Sequence, residues 1–82
     1  MLYFWKATES RHRGAGGVAF SGNLAAARLV GALSRLAPGA GGFVERVALD
    51  KSARVPSYVH GPVLLTVHRD ERTGALLFRR GA

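Results

Sequence analysis

The chain has 82 residues, no cysteine and a formal net charge of +7, with ten arginines and two lysines against five acids. That length makes one domain with a modest core. The missing thiols exclude a disulfide framework and a thiolate metal site, and no apolar run approaches the roughly 20 residues a membrane-crossing helix needs.

Residues 2–7 are strand formers in alternation, with Leu2, Phe4 and Lys6 on one face and Tyr3, Trp5 and Ala7 on the other. Both faces are mainly apolar, which predicts a central strand. The segment is too short for the apolar core of a signal peptide. Residues 8–22 hold Arg11, His12 and Arg13, then Gly14, Gly16 and Gly17, and read as a flexible loop. The Gly-Lys-Ser/Thr of a phosphate-binding loop is missing there. The loop's expected use is to present Arg11 and Arg13 to a phosphate backbone.

Asn23 is the expected N-cap of a helix over residues 24–37, whose apolar stripe is Ala25, Ala26, Leu29, Ala32, Leu33 and Leu36. Pro38 and Gly39 end it. Residues 43–49 alternate as a strand. Residues 55–59 form a further extended piece, where Pro56 marks an edge or a bulge. Gly61-Pro62 signals a turn, and a strand follows over residues 63–69. A hairpin turn at residues 70–74 leads to a last strand at 75–80.

The predicted order is β-α-β-β-β, an α+β two-layer sandwich with one helix on a mostly antiparallel sheet, a ferredoxin-like fragment. One helix covers one sheet face. Tyr3 and Trp5 are the aromatic residues expected on the uncovered face, against a partner.

So much positive charge on a small domain repels itself unless an anionic partner takes it up. Arginine binds phosphate oxygens through a planar, two-toothed fork. Arg11, Arg13, Lys51, Arg54, Arg79 and Arg80 fall in predicted loops or at strand ends, where they can follow a folded RNA backbone. His12, His60 and His68 have no metal-ligand spacing, and no nucleophile motif accompanies them. No enzyme activity, metal, cofactor or small-molecule substrate is expected. The helix carries no bulky aromatic, so membrane-surface binding is not expected either.

A family resemblance rests on three stretches: Gly42-Phe43-Val44-Glu45-Arg46-Val47, Arg54-Val55-Pro56-Ser57-Tyr58 and His60-Gly61-Pro62-Val63-Leu64-Leu65. Together with the first strand and the helix, they resemble the small-subunit ribosomal protein six family, in its bacterial and mitochondrial forms. Ser57 splits the family's Pro-Tyr pair, and the family's second helix has no counterpart, which implies a half-uncovered sheet face. The resemblance implies binding to ribosomal RNA beside a neighbouring protein, with Arg46 and Arg54 at the RNA, in a cytoplasmic or organellar (mitochondrial) ribosome. The expected function is thus a structural RNA-binding subunit of a ribonucleoprotein. The alternative is a protein-only accessory or linker subunit of a larger assembly, whose arginines meet acidic protein surfaces.

Overall fold

The computed structural model describes residues 1–9, 13–50, 52, 54–55 and 57–81, and the backbone of Ser10. The opening strand, β1 (Leu2–Ser10), runs three residues beyond its predicted end. The glycine-rich segment predicted as a loop is a second strand, β2 (Arg13–Ala19), antiparallel to β1 with Tyr3 opposite Ala19 and Trp5 opposite Gly17. Glycine weakens a strand taken alone. Here the neighbour requires it: a Cβ at Gly17 would stand 3.1 Å from the Trp5 indole nitrogen.

Ser21, one residue before α1 (Gly22–Arg35), is extended, and its hydroxyl accepts from the Leu24 N–H at 3.1 Å. Ser21 is therefore the N-cap, in place of the predicted Asn23. The helix buries Ala25, Leu29, Ala32 and Leu33 against Ala7, Val44 and Val67 of the sheet.

Three more strands follow: β3 (Gly41–Asp50), β4 (Ser57–Arg69) and β5 (Leu76–Arg80). β4 runs through Gly61-Pro62, where a turn was predicted. The pair falls at register irregularities opposite Glu45 and Val47, the place where a sheet tolerates proline. Pro56 lies outside the described residues. The sheet is antiparallel throughout, in the order β2-β1-β3-β4-β5. The fold is the expected α+β sandwich of one helix on one sheet, with one extra strand, in the order β-β-α-β-β-β. β1 is central, as its two apolar faces predicted.

Two features of this layout position everything else. α1 lies mainly over β1, β2 and β3, reaches β4 through Val67 and Arg69, and leaves most of β5 uncovered. On the helix side of these outer strands Leu65 and Leu76 pack against the margin of the core, while Phe78 is 59% exposed. β1 begins opposite Val47, so beyond it β3 and β4 continue as a two-stranded arm, with Ala48 opposite Val59 and Leu49 opposite Tyr58. The arm helps to draw the molecule out to 46 × 26 × 19 Å.

Arg69 ties the helix end to the sheet. Its Nη1 donates to the carbonyls of Leu36 at 2.6 Å and Leu33 at 3.4 Å, and its Nε donates to Gly74 O at 3.2 Å. The last carbonyls of a helix lack partners within it, and a cation there also suits the helix dipole. In the turn that follows, the Asp70 carboxylate accepts from the Thr73 hydroxyl at 2.8 Å and from its N–H at 3.1 Å. These bonds hold the Asp70 carboxyl below its ordinary pKa. Leu33 O also accepts from the Leu36 N–H at 3.2 Å, so Arg69→Ala is expected to cost about 2–3 kcal/mol chiefly through the lost bonds to Leu36 O and Gly74 O, lowering Tm by about 10 °C or more in a domain of this size. Thermal unfolding followed by circular dichroism measures it. A Tm within 2 °C of the unsubstituted chain (about 0.5 kcal/mol or less) would contradict this role.

Candidate nucleic-acid interface

Alternation on β1 sends Tyr3, Trp5 and Ala7 under the helix, and Ala7 is completely buried. Leu2, Phe4 and Lys6 consequently face the other way, onto the side of the sheet that no helix covers. Register then assembles this face. Phe43 lies opposite Lys6, Glu45 opposite Phe4 and Val47 opposite Leu2. Thr66 of β4 lies opposite Phe43, and Arg79 of β5 opposite Thr66. One row across four strands thus reads Lys6, Phe43, Thr66, Arg79. Its two cations stand three strand spacings apart, about 14 Å, with an aromatic ring between them.

Phe4 and Phe43 are both half-buried. Their ring centroids are 6.1 Å apart with planes tilted at 52°. The His60 ring meets Phe4 edge-on at 5.4 Å and 87°. Glu45, the acid on this face, is 9% exposed and paired with His60, Nδ1 to Oε1. Its carboxylate is thus occupied by the His60 ring, while Lys6 and Arg79 are exposed and without a carboxylate partner among the described residues. The face thus offers π surfaces and free cations together, the two means of holding an unpaired polynucleotide strand.

The expectation that Tyr3 and Trp5 occupy the uncovered face is corrected: both pack against the core beneath α1. The reversal follows from β1's own pattern. A face ending in Ala7 admits a close-packed helix, whereas a face holding Lys6 keeps that charge in water.

The sequence-predicted cations are dispersed. Arg79 joins the aromatic face. Arg46, opposite Tyr3, and Arg80, opposite Leu65, lie exposed on the other side of the sheet. Arg54 is exposed in the loop between β3 and β4, at the end of the arm. Nearby, Val55 is 74% and Tyr58 44% exposed. Arg13 opens β2, with its Nε 3.2 Å from Glu9 Oε2. Glu9 also accepts from the Ala37 N–H at 3.2 Å, so Arg13 is partly committed to holding the fold. Arg11 and Lys51 lie outside the described residues.

Sequence reasoning missed Phe4, Lys6, Phe43 and His60 as one surface. The signal available was Lys6 in alternation with Phe4, which marks that side of β1 as the wet one. Among the described residues no group of three metal-ligating side chains gathers, and no helix is long and apolar enough to cross a membrane. Comparison with protein-family models, curated proteins and solved structures found no match.

Proposed function

We propose that this protein is a structural RNA-binding subunit of a ribonucleoprotein, holding unpaired RNA on its helix-free sheet face. The observation that carries this reading is the row Lys6, Phe43, Thr66, Arg79, with Phe4 beside it, on an uncovered face whose acid is already paired. Bases stack on Phe4 and Phe43, and phosphates meet Lys6 and Arg79. The arm supports the assembly part of the reading. A two-stranded hairpin is marginal in water alone, and one displaying Val55, Tyr58 and Arg54 gains stability when a partner encloses it. The resemblance to the small-subunit ribosomal protein six family points the same way and makes a ribosome the expected assembly.

Fluorescence anisotropy of a single-stranded RNA oligonucleotide, titrated at several salt concentrations, tests the reading. Each neutralised phosphate of a single strand contributes a slope of about −0.7 in log K against log salt. With Lys6, Arg54 and Arg79 engaged, the expected slope is about −2. A flat response, or no binding at low salt, would refute RNA binding.

The apolar side chains along the arm (Leu49, Val55, Tyr58 and Val59) favour a second reading, a protein-only accessory or linker subunit. Gentle isolation separates the two. Copurified nucleic acid supports the first, and an ultraviolet absorbance ratio of pure protein supports the second.

A further inference from the structure

A second surface lies on the helix side, away from the aromatic face. Between α1 and β2 runs an open groove lined by Trp5, Ala15, Leu24, Arg28, Gly31 and Arg35, among others. It exists because β2 brings only Ala15 and Gly17 to the floor beside the helix. Arg28 and Arg35 rise from α1 along its rim, seven residues or about 10.5 Å apart along the axis. Both are exposed and have no carboxylate partner among the described residues.

β2 is also an edge strand, so over Arg13–Ala19 one side of its backbone has no strand partner. Natural edges are guarded by lysine, proline or a bulge. Within β2 only Arg13, at its first position, offers any such guard. A third observation comes from the floor. Trp5 Nε1 is buried without an acceptor, directly beneath Gly17, where a side chain would block the approach. A buried donor left unpaired costs free energy that an incoming acceptor recovers.

From these three features together we propose that β2 is the docking edge for an extended acidic segment of a partner protein. The segment adds as a sixth strand, and its carboxylates enter the groove between Arg28 and Arg35. Backbone pairing supplies affinity, and alternate side chains supply selection. Same-face residues of such a strand stand about 6.8 Å apart, so two glutamates in alternation reach both arginines. With a small shift of the Gly17 backbone one of them can accept from Trp5 Nε1, which is buried in the free chain. A second copy of this chain fits poorly, since its own β2 carries no carboxylate and the copies share a charge of +7. RNA could neutralise the two arginines but would leave the peptide-spaced donors and acceptors of β2 unmatched. The surface is separate from the proposed RNA face, so both partners can be held at once.

The test uses the whole chain and three probes: a nine-residue peptide alternating Glu and Thr, its Lys and Thr counterpart, and a single-stranded RNA. Trp5 is the chain's one tryptophan, so its emission reports on the groove. Amide hydrogen exchange reports on β2. The Glu peptide is expected to shift Trp5 emission saturably and to slow exchange within Arg13–Ala19. Arg28→Glu with Arg35→Glu is expected to weaken that peptide at least about tenfold, from the loss of two ion pairs at the groove. Both arginines are exposed; an acid at the C-terminal end of α1 costs up to about 1 kcal/mol, so folding of the variant is confirmed by its melt, and it should gain binding of the Lys peptide. Unchanged exchange in β2, or equal binding of both peptides by the unsubstituted chain, would overturn the proposal. So would RNA alone producing the Trp5 shift. Failure of RNA binding in the anisotropy assay leaves this proposal intact, and failure here leaves the RNA reading intact.

Discussion

Gly42→Ala is expected to cost about 3 kcal/mol, a large share of the stability of so small a domain. Gly42 sits on β3 beneath the helix, opposite Ala7 on one side and Val67 on the other. A Cβ there would collide with the Lys6 carbonyl oxygen, stand 2.5 Å from Leu29 Cδ1 and 3.1 Å from Ala7 Cα. Two of these three atoms are backbone, so no rotamer change relieves them. Either β1 and β3 separate, or Leu29, which is completely buried, leaves its place. A chain of this length has a total stability of only about 4–12 kcal/mol, so the loss takes a large share. Gly31→Ala is the matched control. A Cβ at that helical position meets only the Arg35 guanidinium, at 4.0 Å, and alanine should stabilise the helix by about 0.5–1 kcal/mol. Urea unfolding of the two variants gives both numbers. A Gly42→Ala loss below about 1 kcal/mol would mean that helix and sheet are not packed this closely.

Phe4→Leu combined with Phe43→Leu is expected to weaken binding of single-stranded RNA on the order of 100-fold, with little effect on duplex RNA. A base stacked on an aromatic ring is worth about 1–3 kcal/mol, and two such contacts at about 1.4 kcal/mol each, in the lower part of that range because leucine keeps some apolar contact, give a factor of that order. Leucine keeps an apolar side chain between the flanking residues while removing the flat π surface, so the fold is retained, as a thermal melt can check. Arg80→Gln, on the opposite side of the sheet, should change affinity by about threefold or less. Direct titration of the three proteins with the same oligonucleotide decides the matter. Equal affinity of the double variant and the unsubstituted chain would reduce Phe4 and Phe43 to packing.

The helix and the central strand were legible in the sequence because their periodicity lies within their own residues. The Ala and Leu stripe of α1 needs no partner to be seen, and neither do the two apolar faces of β1. β2 was not legible. Its glycines look like a loop until Trp5 and the rest of β1 are laid against them, and only then does their lack of side chains become a packing requirement. Gly61-Pro62 misled for the same reason: a bulge is defined by the register of the opposite strand, here at Glu45 and Val47.

The site was harder to read, because alternation gives two faces and does not say which one the helix takes. Lys6 and Ala7 held that information, yet the size of Tyr3 and Trp5 drew attention to the wrong side. Charge misled as well. Arg69 is one of ten arginines in the sequence, and nothing local distinguishes it from Arg79. In the structure it holds the end of α1, while Arg79 stands free beside the aromatic pair.

The central claim is that the helix-free face and the arm hold RNA. A two-dimensional amide NMR titration with a single-stranded RNA tests it most directly. Progressive shifts are predicted at Phe4, Lys6, Phe43, His60 and Arg79, and at Ser52, Arg54, Val55, Ser57 and Tyr58, with the α1 amides largely unmoved. Shifts confined to α1 and β2, or a spectrum unchanged at saturating RNA, would contradict it.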